Sequence, residues 1–293
     1  MDRDFSYFFD WQSFDGYSLL ERMAAEFADN GAKNIVITPY LLERFASEPN
    51  FFFYFTSIIK KHGLKYAGCH GLWSGVRDLN GEDRFHRKKA IENHKIAMGY
   101  AADAGCKSYV MHIGALCCYY RPYDEQKMRD LACGMLEELL PAAEKEGIVI
   151  AVENSFEPTN SADEVLYYIN RFPSPWIGVC YDSGHANMVL GKGKDPSKYG
   201  EDMTVPWDGR IVFDDHSLAK LAPHIVTCHL HDNHGYSDEH LLPGAGTIDW
   251  ADLIGRLSEC PRIQNMQVET KDLPELSIRK LCTTMEQFKK YMK

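Results

Sequence analysis

Short apolar runs rich in Val and Ile alternate along the chain with longer segments of helical periodicity. Runs of this kind are typical of strands that are buried on both faces. The pattern predicts strands at residues 5–11, 35–38, 64–70, 108–113, 148–153, 176–182, 225–231 and 265–270. It predicts helices at residues 17–30, 49–62, 85–104, 124–146, 161–172, 249–257 and 274–292. Glycines follow several of these helices, as helix ends favour.

The repeated alternation of strand and helix predicts a parallel α/β architecture. Because eight such units close a ring, we expect a (β/α)8 TIM barrel that forms a single domain over residues 1–293. A doubly wound open sheet is the competing arrangement. No predicted strand is followed by GxGxxG, which disfavours the dinucleotide-binding form of that sheet. In a barrel, the side chains that follow the strands meet at one mouth.

The composition limits the partners and the compartment. The formal net charge is −10, whereas nucleic-acid binders usually carry a basic surface. The chain starts Met-Asp-Arg-Asp-Phe, without a cationic segment ahead of an apolar one, and no apolar run is long enough to span a membrane. The nine cysteines lack CxxC spacing and lie mostly in apolar runs. We therefore expect a cytoplasmic protein with reduced thiols, no membrane contact and no nucleic-acid partner.

Side chains able to bind metal stand at the ends of predicted strands three to eight. In chain order they are His70, His112, Glu153, Asp182 with His185, His229 with Asp238 and His240, and Glu269. Imidazoles bind borderline cations, and carboxylates can bridge two ions. Glu153 and Glu269 can face each other across a barrel mouth, while Asp238 and His240 can hold one ion together. The pattern predicts a metal centre.

Each of these residues also has a structural interpretation. A single histidine at a strand end is more commonly a hydrogen-bonded packing residue than a ligand. Glu153 and Glu269 could each pair with a cation, but no Lys or Arg adjoins them in the sequence. His231 shares a strand face with His229 and is open to three interpretations: a ligand, a hydrogen-bond partner of a ligand, or a filler. We rank it behind His229.

Two motifs resemble the xylose isomerase-like TIM barrel superfamily, which includes sugar phosphate isomerases/epimerases and endonuclease IV-type AP endonucleases. Residues 178–185, Gly-Val-Cys-Tyr-Asp-Ser-Gly-His, are similar to the strand-six motif of the endonucleases, with Gly184 where those usually have Cys. His-Leu-His-Asp at 229–232 and Asp-Glu-His at 238–240 resemble their strand-seven motif. The resemblance implies a set of zinc ligands: His70, His112, Glu153, Asp182, His185, His229, Asp238, His240 and Glu269.

Departures from the endonuclease pattern favour the isomerase/epimerase branch. After His70, the DNA-holding segment of the nucleases is replaced by Gly-Leu-Trp-Ser-Gly at 71–75, and the strand-seven lysine is missing. The form His-Leu-His-Asp-Asn followed by Pro-Gly-x-Gly-Thr-Ile-Asp-Trp at 243–250 looks like sugar phosphate isomerases/epimerases. Ketohexose 3-epimerases tend to have Arg where this chain has Gly235, which disfavours free ketohexoses.

The resemblance implies a divalent-metal-dependent isomerase or epimerase of a small sugar, polyol or sugar phosphate. One to three ions, zinc or manganese, are expected, with Glu153 and Glu269 as catalytic carboxylates on opposite faces of the substrate. The alternatives are a multinuclear zinc phosphoester hydrolase and a metal-free binding protein. The oligomeric state is left open between a monomer and a homo-oligomer.

Further residues are candidates for contacts with substrate. We expect such contacts from His70, His112, His185, His231 and Trp73, and sugar stacking from Tyr119 and Tyr120 as well. Arg121, Lys192 and Lys194 are candidates for holding an anionic group. The long connection at residues 186–213, with Tyr199 and Trp207, is predicted to form a lid.

Overall fold

Eight parallel strands form one sheet in the computed structural model, which describes residues 4–14, 16–73, 75–120, 122–271 and 277–293. The strands are β1 (Ser6–Tyr7), β2 (Asn34–Ile37), β3 (Lys65–Cys69), β4 (Ser108–Met111), β5 (Val149–Glu153), β6 (Ile177–Asp182), β7 (Ile225–Leu230) and β8 (Asn265–Val268). Their order is β3-β2-β1-β8-β7-β6-β5-β4, and the neighbours pair in parallel.

The two end strands meet and close the sheet. His70, directly after β3, forms a parallel bridge with Val110 of β4, and the Gly71 N–H donates to the Val110 carbonyl at 2.9 Å. A Cβ at position 71 would lie 2.3 Å from that oxygen, so this approach requires glycine. The sheet is therefore a closed barrel, and the predicted (β/α)8 TIM barrel fold is confirmed.

Helices surround the barrel and also occupy its connections. They are α1 (Tyr17–Asp29), α2 (Pro39–Ser47), α3 (Pro49–Lys61), α4 (Arg84–Asp103), α5 (Leu116–Tyr119), α6 (Glu125–Glu146), α7 (Ala162–Arg171), α8 (Ser183–Met188), α9 (Glu201–Thr204), α10 (Ser217–Leu221), α11 (Trp250–Ser258) and α12 (Ile278–Phe288). Short 3-10 turns lie at Trp11–Phe14, Pro158–Asn160, Pro196–Lys198, Ala222–His224 and Lys289–Tyr291. None of the helices in these described segments has the length and apolarity that crossing a bilayer requires.

Local sequence signals account for the ends of the main helices. Asp124, Ser161 and Asp249 accept backbone N–H groups in the first turns of α6, α7 and α11. Gly147 ends α6 with φ of 67°, a left-handed conformation that glycine adopts without strain. These boundaries lie within two residues of the predicted ones.

Some predicted elements differ from the observed ones. The first strand is limited to Ser6–Tyr7, because the chain turns into the 3-10 segment Trp11–Phe14. The residues after Asp182, for which no helix was predicted, form the helix α8, and Asp182 accepts the His185 N–H as its cap. Helix α2 was not predicted, although Thr38 before Pro39 is a helix-start signal. Pro274, the predicted start of the last helix, lies outside the described residues.

Polar and apolar side chains share the barrel interior beneath the mouth. Gln267 of β8 donates to Thr227 Oγ1 of β7 at 2.8 Å, and Thr227 donates to Asn265 Oδ1 at 2.7 Å. A small buried cluster includes Val149 and Ala151, which share the strand face of Glu153. The larger apolar core lies outside the sheet and includes Trp11 packed against Phe27 and Phe55. The strands are thus fixed from both sides, which holds their C-terminal ends in register.

Candidate metal centre

Three carboxylates converge on one ring nitrogen at the barrel mouth. His229 Nδ1 lies 3.0 Å from Glu269 Oε2, 3.3 Å from Glu153 Oε2 and 3.8 Å from Asp182 Oδ2. His229 and Asp182 are fully buried, and Glu153 is nearly so. Glu153, Asp182 and His229 belong to β5, β6 and β7, and Glu269 follows β8, so the parallel ladder places the four groups side by side. This arrangement brings together four residues that the sequence predicted as ligands.

Several polar atoms of this cluster are buried without hydrogen-bond partners. Glu153 Oε2 and both ring nitrogens of His229 have no hydrogen-bond partner among the described residues. Ion pairs of Glu153 and Asp182 within the described chain involve histidines and no Lys or Arg. Leaving such atoms unpaired is costly, and a divalent cation would satisfy them. Three carboxylates and an imidazole therefore fit a divalent ion.

The electrostatics keep these carboxylates ionised. Burial raises the pKa of Glu153, but His229 and His112 outweigh it and hold the pKa well below its usual range. Burial also raises the pKa of Glu269, but His229 outweighs it and holds the pKa below its usual range. For His229, burial lowers the pKa, whereas the Cys180 thiol and the carboxylates of Glu153 and Glu269 raise it well above its usual value. Ionised carboxylates are the form that binds metal.

A pair of histidines adjoins the cluster on the β3–β4 side. His70 Nε2 and His112 Nε2 are 3.3 Å apart, and His112 Nε2 is 3.3 Å from Glu153 Oε2. His70, Glu153 and His229 present ligand atoms within 4.8 Å of one another. Burial lowers the pKa of His70 to about 4, which keeps its ring neutral. The pair can thus share Glu153 with the four-residue cluster.

A second group of ligand-type residues lies on the α8 side of the mouth. His185, His231, Asp238 and His240 place ligand atoms within 4.8 Å of one another. His240 Nε2 is 3.1 Å from Asp238 Oδ2, and His185 Nε2 is 3.8 Å from Asp238 Oδ1. His185 also lies 3.4 Å from Asp182, which connects this group to the first. All nine predicted ligands therefore meet at one mouth.

Backbone carbonyls orient three of these histidines. The Nδ1 atoms of His70, His185 and His240 lie 2.9, 3.1 and 3.3 Å from the carbonyls of Gly71, Asn154 and Glu269. An Nδ1–H donated to a carbonyl leaves Nε2 free as an acceptor, which is the tautomer that binds metal. In each of the three, Nε2 faces the neighbouring carboxylate or imidazole described above.

His231 lies beneath the site. It is fully buried, and its Nε2 is 3.0 Å from both oxygens of Asp182. Its ring stacks on His240 with centroids 3.8 Å apart. Its side chain does not line the cavity, where a contact with substrate was predicted. The structure places it instead as a partner of the Asp182 carboxylate.

A buried carboxylate fixes the loop that carries Asp238 and His240. Asp232 accepts hydrogen bonds from Gly244 N at 2.9 Å, from Trp250 Nε1 at 2.8 Å and from two further backbone N–H groups. The side chain of Asn233 binds Asn187 and the Gly184 carbonyl on α8. The stretch from His229 to Trp250, which resembles a family motif in sequence, thus also holds the β7–α11 loop and α8 together at the mouth.

A cavity of about 510 Å³ opens above these residues. Several of the predicted ligands line it: His70, His112, Glu153, His185, Asp238, His240 and Glu269. The rest of its wall includes Phe8, Trp73, Leu116, Tyr119 and Phe156. Of these, Trp73 and Tyr119 were predicted to contact substrate, whereas Tyr120 does not line the cavity.

Other predicted contacts lie elsewhere. Lys192 and Lys194 do not line the cavity, and Arg121 lies outside the described residues. The predicted lid segment does not itself line the cavity, but it borders the wall: Tyr199 packs with Phe156, Met188 and Met203 in one apolar cluster. The Trp207 indole donates to the Phe156 carbonyl at 2.8 Å, and the Tyr119 hydroxyl donates to the Asp202 carbonyl at 3.2 Å. A role for this segment as a lid stays a prediction.

Several lining residues were not predicted from the sequence, among them Phe8, Phe156 and Lys271. Phe8 and Phe156 contact the rings of His70 and His185 edge-on, and Lys271 Nζ lies 3.6 Å from Asp238 Oδ2. Lys271 follows Glu269 by two positions, a signal that could have identified it. Phe8 and Phe156 belong to apolar stretches where nothing in the sequence separates wall from core.

Sequence comparison identifies distant relatives. The chain is 26% identical to the uncharacterized protein MJ1311 of Methanocaldococcus jannaschii over 70% of this chain and 64% of that protein. It is 25% identical to the uncharacterized protein y4fM of Sinorhizobium fredii over 57% of this chain and 48% of that one. The matches thus span about half to two thirds of these relatives.

Solved structures share the fold over nearly the whole chain. A D-tagatose 3-epimerase-like protein superposes with a TM-score of 0.71 at 21% identity, covering 98% of this chain and 96% of that one. The 3-keto-D-glucoside 4-epimerase YcjR from E. coli gives a TM-score of 0.73 at 16% identity, with coverage of 97% and 99%. An IolI protein with a bound zinc atom gives 0.68 at 16% identity, with coverage of 97% and 96%.

The family expected from the strand-six and strand-seven motifs is confirmed by a family model. The model for the xylose isomerase-like TIM barrel matches residues 54–278, which contain every ligand-type residue of the mouth. The chain therefore belongs to the xylose isomerase-like TIM barrel family.

Proposed function

We propose that the protein is a divalent-metal-dependent isomerase or epimerase that acts on a small sugar, polyol or sugar phosphate. The observation that supports this most directly is the convergence of Glu153, Asp182 and Glu269 on His229 Nδ1, with buried atoms that lack hydrogen-bond partners. The similar structures include proteins titled as sugar epimerases, which is consistent with the proposal. Zinc and manganese both suit this donor set.

Glu153, Asp182, His229 and Glu269 would hold the ion. When bound, the ion would polarise a substrate carbonyl and the adjacent hydroxyl. This makes the C–H of the hydroxyl-bearing carbon more acidic. Glu153 ends β5 and Glu269 follows β8, with β6 and β7 between them, so two carboxylates are available to act on the two faces of one substrate carbon. In an epimerisation, one ionised carboxylate accepts the proton from carbon, and the other, after taking a proton from solvent, delivers it to the opposite face of the same carbon. The first carboxylate then releases its proton to solvent, which restores both groups. Histidines at the cavity wall orient the hydroxyls.

Two substitutions and a matched control test this proposal. Glu153→Gln and Glu269→Gln keep the side-chain volume but remove the basic oxygen, so we expect each to lower metal affinity and to abolish exchange of the substrate C–H in D2O. Glu157→Gln is the control, because Glu157 is also a buried carboxylate that lines the cavity but lies outside the ligand groups.

The readouts are elemental analysis, the metal-induced rise in melting temperature and NMR detection of deuterium incorporation into a panel of keto sugars. Binding at 100 times Kd stabilises a protein by about 2.7 kcal/mol, which is readily detected. Wild-type levels of bound metal and of exchange in both variants would contradict the proposal.

A zinc phosphoester hydrolase is the second candidate. It is favoured by the additional groups around His70 with His112 and around Asp238 with His240, which together could hold more than one ion. The net charge of −10 disfavours a nucleic-acid substrate. Three zinc ions per chain together with cleavage of abasic DNA would favour this candidate over the isomerase.

A further inference from the structure

The cavity extends well beyond the ligand groups. Its volume of about 510 Å³ is in the range that encloses drug-sized ligands. The ligand-type residues form its floor, at the C-terminal ends of β3 to β8. One side of its wall is built by the connections after β3 and β4, which supply Trp73, Leu116 and Tyr119. The substrate therefore has room for a group besides the ring that reacts.

This side of the wall is apolar and open to solvent. We call Trp73, Leu116 and Tyr119 the apolar lip; their exposed fractions are 56%, 52% and 36%. The Trp73 ring stacks on His112 with centroids 6.1 Å apart and planes at 22°, so the lip begins directly beside the ligand groups. Large apolar side chains exposed together at a cavity mark a binding surface. An aromatic or aliphatic group placed there would cover them.

The charges of the cavity disfavour an anionic substrate. Among the described residues of the wall, Lys271 is the one Lys or Arg, and its ammonium already lies 3.6 Å from Asp238. Asp78 and Glu157 add carboxylates on the lip side. The other basic side chains in the described part of the wall are histidines that already face carboxylates, as His112 faces Glu153 at 3.3 Å and His240 faces Asp238 at 3.1 Å. A phosphate group on the lip side would therefore lie near negative charge and compete with these carboxylates for a basic partner.

We propose that the substrate is an uncharged keto sugar that carries an apolar substituent. Aryl glycosides are its simplest analogues, because they lack the carbonyl on which the proposed C–H exchange depends and so can bind without reacting. The sugar ring lies at the ligand groups and the aromatic substituent lies against the apolar lip. When the substituent stacks on Trp73 and contacts Leu116, water leaves the apolar surface of the substituent and that of the lip. This inference rests on the proposed function and narrows its substrate class, because it disfavours sugar phosphates.

Paired ligands test this proposal with the full chain loaded with Mn²⁺. Binding of phenyl and methyl β-glycosides of D-glucose, D-galactose and D-mannose is measured by calorimetry, so that each pair differs only in the substituent. We expect the phenyl glycoside of at least one pair to bind about tenfold more tightly than its methyl partner. We also expect glucose 6-phosphate to bind more weakly than glucose.

Lip variants assign the preference to the proposed surface. Trp73→Ala and Leu116→Ala should each reduce the phenyl-to-methyl ratio at least threefold while the bound manganese is unchanged. Tyr120→Ala is the matched control, since Tyr120 is 74% exposed but does not line the cavity, and it should preserve the ratio. Equal affinities within every pair, no binding of any phenyl glycoside, or an intact ratio in both lip variants would overturn the inference.

The outcomes separate this inference from the proposed function. Equal binding of phenyl and methyl glycosides by a protein that catalyses metal-dependent C–H exchange removes the inference alone. A phenyl preference that depends on the lip, without any such exchange, supports the inference and removes the proposed function. A change of oligomeric state in the lip variants with an unchanged ratio would assign the surface to a protein partner and overturn the inference.

Discussion

At the scale of single residues, Gly184 and His231 form an interlocked pair. A Cβ at position 184 would lie 2.0 Å from His231 Cε1, so the imidazole occupies the volume that a side chain at 184 would need. From this position His231 reaches both oxygens of Asp182. The glycine at this point of the strand-six motif, where the related endonucleases usually have Cys, is thus explained by the packing of a histidine from the next strand.

Gly184→Ala is predicted to damage both stability and metal binding. The added methyl group must displace His231, and overpacking of this kind costs about 1–3 kcal/mol. Asp182 then loses its imidazole partner, and loss of such supporting hydrogen bonds lowers metal affinity about 10–100-fold. Urea unfolding of the metal-free protein and calorimetric titration with Mn²⁺ measure the two effects.

Gly99→Ala provides the control. Gly99 lies inside α4 with open space at its Cβ position, so alanine should raise the free energy of unfolding by about 0.5–1 kcal/mol and leave metal affinity unchanged. An alanine at position 184 that has neither effect would show that His231 does not support Asp182.

The sequence predicted which ligand-type residues meet at the mouth better than it predicted the residues around them. His70, Glu153, Asp182 and Glu269 could be identified because carboxylates and imidazoles at successive strand ends must meet in a closed barrel. The role of His231 stayed open because period-two spacing places it on the ligand face without showing that Asp182 intervenes. Wall residues such as Phe156 could not be identified, since an apolar residue in a loop has the same signal whether it lines a cavity or fills a core.

At the scale of elements, the connection between β7 and α11 behaves as one hydrogen-bonded unit. Asp232 at the end of β7 binds the indole of Trp250 in the first turn of α11, and it also binds the backbone between them. Gly246 allows this closure, because a Cβ there would lie 2.3 Å from the Asn233 carbonyl. The loop that presents Asp238 and His240 is therefore positioned from both of its ends.

Trp250→Phe should weaken this unit measurably. The substitution keeps an aromatic ring but removes the N–H that donates to the Asp232 carboxylate, and hydrogen bonds to charged groups contribute about 1.5–3 kcal/mol. Trp207→Phe is a suitable comparison because the Trp207 indole donates to the neutral carbonyl of Phe156, a bond that contributes about 0.5–1.5 kcal/mol. Thermal or urea unfolding compares the two, and an equal or smaller loss for Trp250→Phe would contradict the predicted role of Asp232.

Elements were predictable where periodicity and end signals agreed. The helices α6, α7 and α11 have an Asp or Ser cap followed by an amphipathic stretch, and their predicted ends are close to the observed ones. Helix α8 was missed because its residues Ser-Gly-His-Ala-Asn-Met have turn-like composition and form a helix where Asp182 caps it and the β7 loop packs on it.

At the scale of the whole molecule, the barrel explains how residues separated by up to 199 positions, from His70 to Glu269, share one site. The strand order follows the chain order around the ring, so successive strand ends are neighbours in space. Sequence periodicity could predict this ring, because the number of strand–helix units fixes the closure. The way the ring closes could not be predicted, since it depends on one contact between β3 and β4.

The closure between β3 and β4 is predicted to be the least protected join of the sheet. It has a single bridge, at His70 and Val110, whereas β5 pairs with β6 over four residue pairs. In native-state hydrogen exchange of the metal-free protein, we expect the Gly71 amide to exchange faster than the Val152 amide. Similar protection at both positions would contradict this.

His70 and His112 lie on opposite sides of this closure. An ion bound by both of their Nε2 atoms would therefore cross-link the end of β3 to the end of β4. In the metal-free protein, local opening between β3 and β4 would give a small cation a route to the ligand-type residues that are otherwise buried.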